Sequence, residues 1–215
     1  MLVMKKANGK KSSSVFVVAA LISLCVSLAS CAKPGDSTVH DAMAAARQKN
    51  YDGAVSLFKR ALDEESNYSR ETILNFIANI CMTEGDFESA IPYMEESLAL
   101  KPDYRMLVQL GRTYREIGDD ASAERSYARA VELNPEKGEA YASLGALKIA
   151  SGKYSEAVAD LTKAARAEPK IAVIRANLAV ALALSGDTDS AEAEFAEAAR
   201  LKCENLDDFR ARAGM

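Results

Sequence analysis

Apolar positions between residues 38 and 205 fall at helical spacing in pairs of short stretches, each pair divided by a single punctuating glycine and closed by a proline. One copy shows the pattern clearly. Leu107, Leu110, Gly111 and Tyr114 line one helix face, and Ala123, Tyr127, Ala130, Val131 and Leu133 line a second. Such stripes predict amphipathic helices of about three turns. Gly118 between them accepts the left-handed conformation that ends a helix, and Pro135 stops the second helix because it has no N–H to donate. The same punctuation returns along the chain. Gly85, Gly118, Gly152 and Gly186 are spaced by 33, 34 and 34 residues, as are Ala90, Ala123, Ala157 and Ala191. Ala78, Gly111, Gly145 and Ala179 form a third row, and Pro102, Pro135 and Pro169 a fourth that continues at Cys203. A unit of 34 residues cannot bury its own apolar face, so the period predicts stacked helical hairpins.

This ladder resembles the tetratricopeptide repeat, which implies an all-α fold, an α-solenoid of about five helix-turn-helix units in a right-handed superhelix. The units fall at about 36–67, 71–103, 104–137, 138–171 and 172–205 within a solenoid over 38–205. The first copy is degenerate: it keeps Tyr51, Ala54, Phe58 and Ala61 but lacks the glycine. Residues 206–215, with Leu206 and Phe209, are expected to form a tail or capping helix over the last unit.

The N-terminus carries a different signal. Lys5, Lys6, Lys10 and Lys11 precede an apolar run from Val15 to Leu28, which at 14 residues is short of the roughly 20 a membrane span needs. Residues 1–30 therefore read as a signal peptide. The run closes on Leu28, Ala29, Ser30 and Cys31, which resembles the lipobox of bacterial lipoproteins. That resemblance implies lipidation of Cys31 as the mature first residue, a short linker over 31–37, and a membrane anchor of several acyl chains. Ala32 in place of an aspartate implies sorting to the outer membrane, on its periplasmic face.

Charge and chemistry then narrow the function. The net charge of −4 becomes −8 once four signal-peptide lysines are removed, which argues against nucleic acid as a partner. Cys81 and Cys203 are about three units apart, too far to bridge one another. His40 is the chain's one histidine and has no neighbouring Cys or His in sequence, so neither a metal centre nor a nucleophile–histidine pair is indicated. The glycines are singletons at helix ends and form no phosphate-cradling loop. Acidic pairs such as Asp119 and Asp120 read as first-turn helix charges. No cofactor, metal, catalytic residue or small-molecule substrate is expected, and an enzyme is the weakest reading.

What the repeat resemblance implies instead is a concave binding groove built from the first helix of each unit. Carried onto this chain, it runs through Asn75, Asn79 and Met82, then Arg105, Val108, Gln109, Arg112 and Arg115. It continues through Ala142, Ser143, Ala146 and Ile149 and ends with Ala176, Asn177, Val180 and Ala183. The three arginines suit a carboxylate or an acidic segment. Asn177 stands where related repeats hold an extended backbone, and the later units offer an apolar floor.

The stretch from Arg175 to Asp187, followed by Ala191, Glu192 and Ala193, resembles the Tad (Flp) pilus assembly lipoproteins of the TadD type. That resemblance implies an outer-membrane scaffold for a secretin or pilus component, taken as an extended or helical segment. Alternatives of the same build are an adaptor for peptidoglycan hydrolases and a helper of outer-membrane protein assembly.

Overall fold

The computed structural model describes residues 32–215, so Cys31 and the signal-like segment lie outside the described residues. Eleven α-helices and no strand are found among them. They fall into two compact units, one ending at Ile73 and one beginning at Leu74.

The first unit contains the hairpin of α1 (Pro34–Arg47) and α2 (Tyr51–Leu62). α1 starts inside the stretch expected to be linker, with Pro34 in the first turn, where its missing N–H costs nothing. Val39, Ala42, Ala54, Phe58 and Ala61 form its core, each 1% exposed or less. The turn between the helices has no glycine, yet it closes by the same bonds as the others. Lys49 takes the left-handed conformation at φ 60°, and Asn50 N–H donates to Ala45 O at 2.9 Å. After α2 the chain folds back onto the start of α1. The Asp36 carboxylate accepts from Asn67 N–H (2.7 Å), Ser66 Oγ (2.8 Å) and Lys33 N–H (3.1 Å). These bonds, the backbone bond from Asn67 foremost, hold the Asp36 carboxyl down at about 2. His40 Nε2 meets Tyr68 Oη at 3.1 Å, so the chain's one histidine belongs to this local packing.

Eight further helices pair as hairpins: α3 (Arg70–Thr83) with α4 (Phe87–Leu100), α5 (Tyr104–Glu116) with α6 (Asp120–Leu133), α7 (Gly138–Ala150) with α8 (Tyr154–Ala167), and α9 (Ala172–Leu184) with α10 (Thr188–Arg200). Within the second unit, α4 packs on α5, α6 on α7 and α8 on α9, so each hairpin stacks on the next. Gly85, Gly118, Gly152 and Gly186 all have φ between 73° and 97°, the left-handed exit that the ladder predicts. Asp86, Asp119 and Asp187 then cap the second helix of their hairpins, accepting from Ser89, Ser122 and Ser190 N–H at 3.0 to 3.1 Å. α8 departs from the rule. Lys153 occupies its cap position and makes no capping bond.

The row of small residues has one structural purpose: it receives a large residue from the partner helix. A Cβ on Gly111 would lie 2.5 Å from Tyr127 Cε1, and one on Gly145 would overlap Leu161 Cγ. Met94, Tyr127, Leu161 and Phe195 stand at equivalent positions 33 or 34 residues apart, and each is 0% exposed. Tyr127 therefore fills the inside of its own hairpin and does not lie between units. Tyr114 is the residue that reaches across, donating from α5 to Glu95 of α4 at 2.5 Å.

The last helix, α11 (Leu206–Ala213), packs mainly on α9 through Leu206, Phe209 and Ala213. Arg210 fastens it to α10, bonding Glu192 at 2.8 and 3.0 Å and lying 4.7 Å over the Phe195 ring.

Candidate protein-binding groove

Three first helices of the second unit, α5, α7 and α9, border a groove of about 390 Å³. Its walls follow from helical spacing. Arg112 and Arg115 are one turn apart on α5; Glu139, Ala142, Ser143 and Ala146 make one stripe of α7. Val173, Ile174 and Asn177 do the same on α9, joined by Glu168 and Ile171 from the preceding loop. The floor is made of small side chains, and the two sides differ in chemistry.

The α5 side is cationic. Arg112 Nη2 bonds Glu139 Oε1 at 2.6 Å, which neutralises one guanidinium across the groove. Arg115 stands beside Arg112 in the lining and makes no ion pair among the described residues. The α9 side sets solvated apolar groups beside the polar Glu168 and Asn177: Ile171 and Val173 are 42% and 46% exposed, among the most exposed large apolar residues described.

The N-terminus of α7 is fixed by side chains of the neighbouring hairpins. Gly138 N–H donates to Glu168 Oε1 at 3.1 Å and Ala140 N–H donates to Tyr104 Oη at 3.0 Å. Two donors that a helix start leaves unpaired are thereby satisfied, and the floor is held in register with both walls. Burial pushes the Tyr104 phenol up, and so its hydroxyl stays protonated across the physiological range.

Beneath the floor lies an anomaly. Tyr127 is completely buried, and its hydroxyl has no hydrogen-bond partner. Burial pushes this phenol up as well, with the nearby guanidinium groups of Arg115 and Arg112 pulling the other way.

The structure sorts the expected groove residues into four groups. Arg112, Arg115, Ala142, Ser143, Ala146 and Asn177 come together in the groove. Arg105 is exposed but stands outside it, so the three arginines do not converge. Val108 and Val180 are 2% and 0% exposed and belong to the core, and Ile149 at 8% and Ala176 at 0% are also buried. Asn75 and Asn79 lie on α3: Asn75 accepts from Ser97 Oγ at 2.5 Å, within its own hairpin, and Asn79 accepts from Gln109 at 3.4 Å. Glu139, Glu168, Ile174, Ile171 and Val173 were not foreseen. A signal for the last two was present, since Ile171 and Val173 replace the polar Lys137 and Glu139 of the unit before.

Comparison with known proteins gives a consistent picture. Models described as Tetratricopeptide repeat match residues 69–136 and 148–207. The chain is 40% identical over 86 residues to Protein O-mannosyl-transferase TMTC1 of Homo sapiens, covering 40% of this chain and 10% of that protein. It thus spans about a tenth of the length of that relative. Among solved structures it is similar to the MamA protein, with a TM-score of 0.69 and 20% identity over 78% of this chain and 91% of that one. It is also similar to YrrB, described as a TPR protein with an unusual peptide-binding site, with a TM-score of 0.66, 19% identity and coverage of 81% and 90%.

Proposed function

The chain belongs to the tetratricopeptide repeat family, and from that premise we propose that it is a scaffold that takes a segment of another protein into the groove between α5, α7 and α9. One observation carries this reading. An unneutralised guanidinium, Arg115, faces two solvated branched side chains, Ile171 and Val173, across a floor of Ala and Ser. Packing alone gives no reason to leave those apolar groups in water, and a polypeptide with acidic and apolar side chains satisfies both walls. The peptide-binding site named for YrrB supports the same use of the fold.

The place of action in this proposal is the periplasmic face of a bacterial outer membrane, with Cys31 lipidated. The supporting feature is the run from Leu28 to Cys31 after a charged and apolar leader. The partner is a component of an envelope machine, foremost the Tad (Flp) pilus with its secretin, as the resemblance of Arg175 to Asp187 suggests. No catalytic role is proposed.

Exchange of Arg112 and Arg115 for Ala tests the groove. The helical signal should persist while co-purification of envelope partners from the native cell falls about tenfold, the loss expected for a desolvated charge contact. Unchanged recovery would overturn the groove reading. Cys31→Ser tests the anchor: the protein should move from the membrane to the soluble periplasmic fraction, and continued sedimentation with membranes would reject it.

A further inference from the structure

The row of large residues that fills the hairpins is apolar at every step of the second unit but one: Met94, Leu161 and Phe195 against Tyr127. A phenylalanine would fill the space over Gly111 equally well, so packing does not account for the hydroxyl. That hydroxyl is buried without a hydrogen-bond partner, a state that is destabilising when nothing compensates it. Its position matters. Arg115 and Ser143, both groove residues, are its hydrogen-bonding neighbours, and Arg115 acts on it by charge as well, yet neither reaches full hydrogen-bond geometry in this structure. The unmet donor thus neighbours Arg115 and Ser143 of the groove, although Tyr127 itself is no part of the groove lining.

We propose that Tyr127 is a hidden recognition residue: its hydroxyl and Arg115 together receive one carboxylate of the bound segment, while a branched apolar side chain of the same segment covers Ile171 and Val173. This rests on the groove being the binding site, and it narrows the ligand to an acidic side chain set close to a branched apolar one. A phenolic donor and a guanidinium suit a carboxylate because it accepts several hydrogen bonds at once and carries the opposite charge. An amide of the same shape fits the space but offers no charge to Arg115. The carboxylate enters beside Arg115 and accepts from its guanidinium and from the Tyr127 hydroxyl together. Arg112, already engaged by Glu139, sets the electrostatic background without being displaced.

Labelled synthetic peptides of about ten residues, each holding one aspartate and one isoleucine separated by zero to three serines, are titrated against the full chain by fluorescence anisotropy. At least one spacing should bind, and its asparagine counterpart should bind about tenfold more weakly, as expected for loss of a charge-assisted bond. Tyr127→Phe supplies the second readout. It should keep or raise the melting temperature, because an unmet donor is removed at constant shape, and should weaken the aspartate peptide about tenfold while leaving the asparagine peptide unchanged. Equal affinity of Tyr127→Phe and the parent for the aspartate peptide would overturn the role of the phenol. Ala142→Trp, which blocks the floor, separates this from the wider reading. Binding that survives the block shows that the groove is not the site, whereas binding lost to the block but indifferent to Tyr127→Phe sinks only the present inference. Absence of binding by every spacing up to about 1 mM, the weak end of specific recognition, also overturns it.

Discussion

The hairpins α5/α6 and α7/α8 solve one geometric problem with different chemistry. Each brings two helices together over a glycine, Gly111 in one and Gly145 in the other, and each drops a large side chain onto it. In α7/α8 that side chain is Leu161, and three ionic groups are paired between its two helices. Lys148 Nζ lies 2.7 Å from Asp160 and 3.3 Å from Glu156, and the Lys148 and Asp160 side chains are 16% and 11% exposed. In α5/α6 the side chain is Tyr127, with an unmet hydroxyl, and Arg115 above it has no acidic partner among the described residues. The α7/α8 hairpin pairs the ionic groups packed between its helices, while α5/α6 keeps a buried hydroxyl without a partner. A repeat protein can vary its chemistry in this way without disturbing its backbone, because the stacked backbone depends on volume and turn conformation.

Substitutions that attack the shared packing should cost most. Tyr127→Ala and Leu161→Ala each empty a fully buried site and should destabilise by about 3–5 and 2–5 kcal/mol respectively in chemical denaturation. Gly111→Ala, which forces a Cβ against the Tyr127 ring, should cost about 1–3 kcal/mol. Comparable stability of the Gly111→Ala variant and the parent would mean that the close approach of α5 and α6 is not what the glycine provides.

Next in size is the ion pair that distinguishes α7/α8. Asp160→Ala leaves the half-buried Lys148 ammonium with only the more exposed Glu156 and should cost about 2 kcal/mol, below the range for a fully buried pair. This pair also gives the hairpins different responses to alkali. Burial pulls Lys148 down, but the bonds and charges of Asp160 and Glu156 outweigh it and hold the ammonium above the ordinary lysine value. The folded state thus binds that proton more tightly than the unfolded chain. Its contribution is complete below about pH 10.4 and fades as pH rises through the higher folded value. Tyr114 on α5 behaves likewise: burial first, then the bond to Glu95, raises it to about 12, so its contribution declines between roughly pH 10 and 12. Melting curves from pH 8 to 12 should show Asp160→Ala losing less with alkali than the parent, and a tyrosine absorbance titration should find one phenol near 12.

The smallest effect is a gain. Lys153→Asp would give α8 the cap that α6 already has in Asp119, and should raise stability by about 0.5–1 kcal/mol, or about 2 °C in melting temperature. A neutral or lower melting temperature would show that the Lys153 contact with Glu124 at 3.7 Å outweighs the missing cap.

The ladder was legible in the sequence because glycine and small-for-large exchange leave direct marks on composition. Gly118 and Gly152 state a backbone conformation, and Gly111 states a close approach. Lys49 shows the limit: it takes the same left-handed position in the first hairpin, where the residue type gives no hint of it. The groove was legible only in part. Arg112 and Arg115 could be placed from the repeat, but each residue turns a helix by 100°, so Val108 and Val180 drop from the expected wall into the core. Ile171 was marked by its exchange for Lys137 one period earlier, but Glu168, also from the loop before α9, carries no such mark.

The turn glycines have a further consequence for protein chemistry. At Gly85, Gly118, Gly152 and Gly186 the backbone has positive φ and a Cβ in the ordinary hand would meet nothing within 4 Å, so handedness alone, and not crowding, disfavours an L side chain there. A residue of the mirror configuration has the opposite preference. D-alanine introduced by segment ligation would fit these corners without strain and reduce the freedom of the unfolded chain, by about 0.4–1 kcal/mol at each. Four chemically addressable bends, one per hairpin of the second unit, would thus allow the repeats to be stiffened one at a time from outside the core.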